Sequence, residues 1–214
     1  TLDEEAGKPR FYALQGAEKS YASFALTAHN PGGHSSQPRP DNAIYDLADA
    51  LKALQGYSFP VMWNDWTIGS FKAAAPVTPG ELGQAMAKFA AHPGDAEAAT
   101  VLAKTPAMIG RTRTTCVATM LTGGHADNAL PQSATATVNC RIFPGTSVAE
   151  VRDSLQQVAG DRIEVKVLGE PHSSPPSPLR GDVLEAVTKA VRASHPGVPI
   201  VPDMAPYATD GSIF

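Results

Sequence analysis

The sequence predicts an α+β fold of the ferredoxin-like type, in which an antiparallel four-stranded sheet carries two helices on one face. Two observations predict it. From residue 18 to residue 168, segments with period-2 and with 3/4 hydrophobic spacing follow one another in the order β-α-β-β-α-β. A stretch at about residues 57–110, broken by prolines and glycines, interrupts this order with several short helices. The 214 residues suffice for one large or two small domains.

The first part of the pattern is a strand, a loop and a helix. Residues 18–29 alternate as a strand, and one of its faces carries Tyr21, Ser23, Ala25 and Thr27. The Asn-Pro-Gly-Gly run at residues 30–33 follows, and no helix or strand interior tolerates it. A helix is predicted from Asp41, because apolar residues then recur at 3/4 spacing at Ile44, Leu47, Ala48, Leu51 and Leu54.

The second part contains two strands, a helix and a last strand. Residues 114–122 and 133–143 are predicted strands, and one face of the second carries Ala134, Ala136, Val138 and Cys140. Ser147 and Glu150 form a capping box that opens a helix through Val158. Residues 162–168 alternate strictly as the fourth strand.

The tail differs in character from the preceding residues. The Ser/Pro-rich residues 172–178 are predicted to be a linker. A helix at 179–193 and a short strand at 198–201 follow, with no predicted partners in this sequence. We therefore expect the tail to be a poorly packed piece of a second domain.

Composition argues against nucleic-acid and membrane partners and against a framework of several disulfides. The net charge is −4 and no Lys/Arg cluster occurs, so nucleic acid is not expected as a partner. No apolar run is long enough to span a membrane and no signal-peptide pattern is visible, which slightly favours the cytoplasm. The sequence begins with Thr1 rather than Met, so the true N-terminus is not visible. Cys116 and Cys140 are expected to be reduced, half-buried thiols, with a bridge between adjacent strands as the alternative.

Three groups of residues are candidates for a functional site. His34 follows two glycines, so backbone there can approach a ligand while the imidazole donates to a developing oxyanion. Asn128 lies in a long loop that begins with Gly123 and Gly124, and its amide is suited to a substrate carbonyl or carboxylate. Arg141 lies within an alternating strand and is a candidate carboxylate ligand. Each has a structural alternative: a solvated loop histidine, a left-handed turn residue and an outward-facing arginine.

Other chemistries find less support in the sequence. No Gly-x-Ser-x-Gly elbow occurs, both cysteines lie on predicted strands without a nearby histidine, and phosphate-cradling glycine loops are absent. His125 and Asp127 form a His-x-Asp pair, but two ligands do not make a site that needs three or four. No metal is therefore expected to bind to this chain.

The motifs together resemble a known family. The segment Asn-Pro-Gly-Gly-His-Ser-Ser, with the Asp-Asn-Ala-Ile that follows, resembles the start of the lid, or dimerization, domain of the two-zinc metallopeptidases, which include aminoacylases, Gly-X and glutamate carboxypeptidases and succinyl-diaminopimelate desuccinylases. Gly-Gly-x-x-x-Asn-x-Leu-Pro and Val-Asn-Cys-Arg-Ile-x-Pro-Gly resemble its second half. The resemblance covers residues 18–170 as the lid, with 1–17 as the end of a catalytic-domain segment and 171–214 as a linker and the returning catalytic domain.

The resemblance implies roles for individual residues. His34 corresponds to the lid histidine that reaches the partner subunit's active site and polarises the scissile carbonyl. Asn128 corresponds to the asparagine that contacts substrate, Arg141 to the arginine that binds its terminal carboxylate, and Gly123 and Gly124 to the adjoining loop. The implied protein is a homodimeric hydrolase of peptide or N-acyl amino-acid amide bonds.

The zinc ligands of that family are not recognisable here, since the resemblance places both zinc ions in the catalytic domain. We therefore expect this chain alone to be inactive. The competing hypothesis is a stand-alone ferredoxin-like dimer that binds a small ligand without catalysis.

Overall fold

The computed structural model describes residues 11–173 and 175–212. The strands of these residues are β1 Tyr12–Glu18, β2 Ser20–His29, β3 Gly33–His34, β4 Thr115–Gly123, β5 Ala129–Leu130, β6 Ser133–Ile142, β7 Ile163–Leu168 and β8 Ile200–Ala205. The α-helices are α1 Ala43–Gly56, α2 Asp65–Ala74, α3 Gly80–Ala91, α4 Ala96–Ala103, α5 Pro106–Ile109, α6 Val148–Ala159 and α7 Gly181–Ser194. Ala75–Val77 and Asp210–Ser212 form single 3₁₀ turns.

These elements form two units, which we name the sheet unit and the insert unit. The sheet unit contains residues 20–59 and 114–173. The insert unit contains residues 60–113 and the described residues that precede 20 and follow 173. The helical insert thus assembles with the two ends of the chain, whereas the sequence division counted it within the lid at 18–170.

The sheet unit confirms the predicted α+β fold. Its four strands lie in the order β4-β6-β2-β7, and all neighbours are antiparallel. β2 and β6 stay in register from Ser20 opposite Ile142 to His29 opposite Ser133. The face of β6 that carries Ala134, Ala136, Val138 and Cys140 is buried against α1 and α6, because alternate side chains of a strand point to the same face.

The two helices differ in how closely they follow their predicted patterns. α6 begins at the predicted capping box, where the Ser147 hydroxyl accepts from the Glu150 amide and the Glu150 carboxylate accepts from the Ser147 amide. α1 buries Ala43, Leu47, Ala50 and Leu54. The other members of its predicted stripe lie to one side of this face: Ile44, Ala48 and Leu51 line a cleft of about 310 Å³ with Leu121 of β4.

The insert unit corrects the expectation that the tail lacks partners. β8 pairs in parallel with β1, from Tyr12 opposite Ile200 to Glu18 opposite Ala205. Val201, Met204 and Ala205 of β8 are buried, and β8 packs against α2. The tail strand was misjudged because its partner lies nearly the whole chain length away, where periodicity carries no information about pairing. α7, by contrast, buries none of its residues within the described chain.

The helices of the insert form a core of their own. Phe71 of α2, Met86 and Phe89 of α3 and Leu102 of α4 are buried together, and the Phe71 and Phe89 rings meet edge to face at 5.7 Å between centroids. None of the helices among the described residues combines the length and apolar character needed to cross a membrane.

The two cysteines form a disulfide, so the expectation of free thiols was wrong. Cys116 of β4 lies directly opposite Cys140 of β6, with their Cα atoms 4.1 Å apart. The strand register brings the two sulfur atoms to the same face of neighbouring strands. The alternative that the sequence left open, a bridge between adjacent strands, is the one observed.

Candidate functional site

Two short strands join the two glycine-containing loops. β3 pairs with β5, so that Gly33 lies opposite Leu130 and His34 opposite Ala129. The Ser35 amide donates to the Asn128 carbonyl at 3.0 Å, which extends this ladder by one bond. The structure thus places the segments that carry His34 and Asn128 next to each other, although the two residues are 94 positions apart in the sequence.

The loop that carries His34 is braced by a polar network. The Asn30 side chain accepts from the Gly32 amide at 2.9 Å and donates to the Asp41 carboxylate at 2.8 Å. Arg39 donates to the same carboxylate through two bonds of 3.0 and 2.9 Å. These charged hydrogen bonds from Arg39 lower the pKa of Asp41 below its ordinary value. Gly32 has φ of 78°, and a Cβ there would lie 2.8 Å from Cγ of Gln132, so the position requires glycine.

The His34 imidazole is exposed and is held by one neighbour in its own loop. Its Nδ1 lies 2.8 Å from Oγ of Ser36 and accepts from the Ser36 amide at 3.2 Å. Among the described residues, the other ring nitrogen, Nε2, has no protein partner. His34 therefore has one nitrogen bound within the loop and one available to a ligand.

Asn128 and the two glycines form the other side of the joined loops. The Asn128 side chain is exposed and makes no hydrogen bond with any residue that the structure describes. Gly124 has φ of 74°, a left-handed conformation that side chains rarely adopt, and a Cβ on Gly123 would lie 3.1 Å from Cβ of Ala134. The backbone at the start of this loop therefore lies close to β6, and the side-chain amide of Asn128 is accessible to solvent.

Arg141 lies on the sheet face opposite the helices, half-buried and beside an aromatic ring. Its guanidinium carbon is 4.8 Å from the centroid of the Tyr21 ring, its cross-strand neighbour. Within the described part of the chain, no carboxylate lies within ion-pair distance of Arg141. An arginine stacked on a ring and lacking an acidic partner keeps its planar N–H groups available for a carboxylate.

Arg141 and the joined loops lie at opposite ends of the sheet. Arg141 is opposite Tyr21 at the start of β2 and Thr115 at the start of β4. The joined loops meet the sheet where β2 and β4 end and β6 begins. Arg141 is seven positions after Ala134 in β6, which corresponds to about 24 Å in an extended strand. One protomer therefore brings His34 and Asn128 together but not Arg141.

Three contacts of the described residues were not predicted from the sequence. Ser36 contacts His34 through a His-x-Ser spacing that is visible in the sequence, whereas Tyr21 meets Arg141 only through the strand register. In the insert unit, the buried Glu18 carboxylate accepts from the Thr209 amide at 3.0 Å, a contact across 191 residues. No sequence pattern indicates a pairing over that distance.

The described residues do not provide a metal centre. Nowhere among them do three histidine, cysteine, aspartate or glutamate side chains meet in a group able to hold a metal ion. His125 and Asp127 are both exposed in the loop before Asn128. The zinc ions that the resemblance implies thus find no ligand set in this part of the chain.

Comparison with curated proteins finds relatives named as an amino acid synthase/hydrolase and as a probable carboxypeptidase. It is 28% identical over 200 residues to the N-fatty-acyl-amino acid synthase/hydrolase PM20D1 of Xenopus tropicalis, a match that covers 92% of this chain and 39% of that protein. It is 26% identical over 197 residues to the probable carboxypeptidase S-like 2 of Dictyostelium discoideum, covering 90% of this chain and 37% of that protein. The chain thus spans less than half the length of these relatives.

Solved structures and a family model agree on the fold. The M20 family metallo-carboxypeptidase Sso-CP2 from Sulfolobus solfataricus superimposes with a TM-score of 0.58 at 16% identity, over 99% of this chain and 57% of that chain. A tripeptidase from Staphylococcus aureus superimposes with a TM-score of 0.53 at 16% identity, over 94% of this chain and 42% of that chain. The model of the peptidase dimerisation domain matches residues 16–166, which is more than half of the sequence. The resemblance stated from the motifs is confirmed, and the chain belongs to the peptidase dimerisation-domain family.

Proposed function

We propose that this chain is the dimerisation domain of a hydrolase that cleaves peptide or N-acyl amino-acid amide bonds. In this proposal, each site of the homodimer takes His34 and Asn128 from one protomer and Arg141 from the other. The main support for a shared site is the separation of about 24 Å along β6 between Arg141 and the joined loops. The relatives named as hydrolases and carboxypeptidases support the reaction class.

The separation supports a site shared by two protomers over one made by a single protomer's sheet unit. In an N-acyl amino acid, the amide carbonyl and the terminal carboxylate lie within one or two residue lengths, which is about 3.5–7 Å. His34 and Arg141 of the same chain cannot contact both groups of so short a substrate. A second copy of the sheet unit supplies the missing half.

The edge at which the second copy docks follows from the two outer strands. β4 contains no charged residue, and Val117, Met120 and Leu121 are 59%, 65% and 66% exposed. β7, at the other edge, carries the charged and exposed Glu164 and Lys166. Charged side chains on an edge strand disfavour its pairing with a strand of another chain, whereas an uncharged, apolar edge favours such pairing. We therefore assign β4 as the dimer edge.

Antiparallel pairing of the two β4 strands brings the separated residues together. A two-fold axis through the middle of β4 places the Gly123 end of one strand beside the Thr115 end of the other. The loops that carry His34 then reach the end of the sheet where the partner's Arg141 lies. The two β6 strands are three strand spacings apart, about 14 Å, which loops and long side chains span.

The residues have complementary chemical roles in such a site. The His34 and Asn128 side chains donate N–H groups to the amide carbonyl oxygen, which gains negative charge as the bond is attacked. Arg141 binds the substrate carboxylate through parallel N–H···O bonds. We further propose that the two zinc ions implied by the family are held by a catalytic domain and not by the described residues. No step of the proposal depends on them.

Subunit mixing tests the shared site in the complete hydrolase. His34→Ala and Arg141→Ala are each expected to lower kcat/KM by about a hundredfold, the usual effect of removing one charge-stabilising donor. When the two inactive dimers are mixed and re-equilibrated, half of the dimers are hybrids. In each hybrid one site has both residues and the other has neither, so activity recovers to about a quarter of wild type.

The reciprocal mixture is the matched control. A chain carrying both substitutions, mixed with an equal amount of wild type, inactivates both sites of every hybrid under the proposal. Total activity is then about a quarter of an all-wild-type sample, whereas a site built within one protomer leaves about half. Hybrids proven by mass that stay inactive in the first mixture, together with half activity in the second, would contradict the shared site.

A further inference from the structure

The contact between Ser36 and His34 indicates which imidazole nitrogen is protonated. Nδ1 of His34 has two neighbouring groups from one residue, the Ser36 amide at 3.2 Å and the Ser36 hydroxyl at 2.8 Å. We propose that Ser36 is a positioning residue that holds His34 as the tautomer with its proton on Nε2. The inference rests on the proposed function only for its catalytic consequence, because the tautomer is a property of this chain by itself.

The backbone amide indicates which tautomer the loop favours, and the hydroxyl adds to the same preference. An amide N–H only donates, so the nitrogen that it meets must offer a lone pair. A neutral imidazole has one protonated and one unprotonated nitrogen, and a lone pair on Nδ1 places the proton on Nε2. The Ser36 hydroxyl can rotate to donate to Nδ1 as well, which reinforces the same assignment.

The consequence for a ligand is a fixed hydrogen-bond donor. Nε2 has no protein partner among the described residues, and His34 is exposed, so the N–H remains available. The tautomer with the proton on Nδ1 presents a lone pair at Nε2, which repels a carbonyl oxygen instead of stabilising it. The two contacts at Nδ1 also restrict rotation of the ring, a freedom that ligand binding would otherwise have to remove.

Neighbouring residues supply the variants for a test. Ser36→Ala keeps the amide and removes the hydroxyl, and Ser36→Thr keeps both groups. Ser36→Pro removes the amide and the hydroxyl together. Ser35→Ala is the matched control, because the Ser35 amide bonds to Asn128 and not to the imidazole, and the substitution keeps that amide.

The first readout is the tautomer itself. In ¹⁵N-labelled protein, long-range ¹⁵N–¹H correlation spectra at a pH where the ring is neutral distinguish protonated from unprotonated ring nitrogens, and His34→Gln assigns the signals. We expect an unprotonated Nδ1 and a protonated Nε2 in wild type, Ser35→Ala and Ser36→Thr. Ser36→Ala should move both signals partway towards a mixture, and Ser36→Pro further. A mixture of tautomers in wild type, or Nδ1 protonation, overturns the proposal.

The second readout is turnover by the complete hydrolase on an N-acyl amino acid. Ser36→Ala is expected to lower kcat about fivefold to tenfold with little change in KM, and Ser36→Thr to restore it. A normal kcat for Ser36→Ala beside an impaired His34→Ala overturns the positioning role and leaves the proposed function standing. Full activity of His34→Ala overturns the proposed role of His34, and the spectra then decide the tautomer on their own.

Discussion

Replacing Leu121 by lysine is expected to weaken the dimer without unfolding the protomer. Leu121 is 66% exposed on β4 and lines the cleft of about 310 Å³ between that strand and α1. Because the side chain makes few contacts within its own protomer, we expect the substitution to change the free energy of unfolding by less than about 0.5 kcal/mol. In the proposed dimer, however, the same side chain becomes buried.

The magnitude follows from the exposed fraction. Complete burial of a leucine side chain is worth about 1.5–3 kcal/mol, and two thirds of this side chain remains to be buried. Each protomer therefore loses about 1–2 kcal/mol, and a two-fold interface loses about 2–4 kcal/mol. At 1.4 kcal/mol per tenfold change, the dissociation constant should rise between about 30-fold and 1,000-fold.

Sedimentation equilibrium over a wide range of concentration measures that constant directly. Leu168→Lys is the matched control, since it makes the same change on β7 at a side chain that is 42% exposed. The control should keep the wild-type dissociation constant within about threefold. If Leu168→Lys dissociates the dimer and Leu121→Lys does not, the assignment of β4 as the dimer edge is wrong.

Three other predictions concern the protomer. Substituting Cys116 and Cys140 by alanine should lower the free energy of unfolding by about 3 kcal/mol in denaturant titrations, since the bridge closes a loop with a sequence separation of 24. Asp41→Asn should lower the melting temperature at neutral pH. Because Arg39 lowers the folded pKa of Asp41, its difference from wild type should begin to shrink as the pH falls below about 4 and vanish only once the pH is below that lowered pKa, where the carboxylate is protonated. This chain alone should show no amidase activity and retain no stoichiometric zinc after dialysis, since the described residues offer no ligand set.

Each of these has a result that would refute it. Titration of two free thiols in denatured, unreduced protein would contradict the disulfide. A stability difference for Asp41→Asn that persists unchanged into acid would show that the ion pair is not its cause. One tightly held zinc per chain, or turnover removed by a chelator, would contradict the last prediction.

Local chemistry explains which parts of the fold were predictable. The alternation in β6 and the capping box of α6 depend on residues two to four positions apart, so the sequence displays them directly. The pairing of β1 with β8 and the bridge between Cys116 and Cys140 depend on register between distant segments. The hydrophobic period identifies a strand and its apolar face but does not indicate which strand pairs with it.

The candidate site shows the same division. The glycine motifs around His34 and Asn128 identified both loops, but a ladder as short as that between β3 and β5 has no periodicity to recognise. Arg141 was rightly placed on a strand, while its distance from His34 followed only once the direction of each strand was known. The separation on which the proposed shared site rests is therefore a product of topology and not of any motif.

The strand proposed as the dimer edge is also the strand that the protomer stabilises least by burial. Every residue of β4 from Val117 to Gly123 is exposed, whereas β6 buries alternate side chains along its whole length. Burial therefore contributes little to holding β4 in place. Its position depends on the hydrogen-bond ladder with β6 and on the disulfide between Cys116 and Cys140 near the start of the strand. A covalent bond at one end of a weakly buried edge reduces the entropy that docking must remove. The same bond thus favours both the order of the edge in one protomer and its proposed pairing with a second copy.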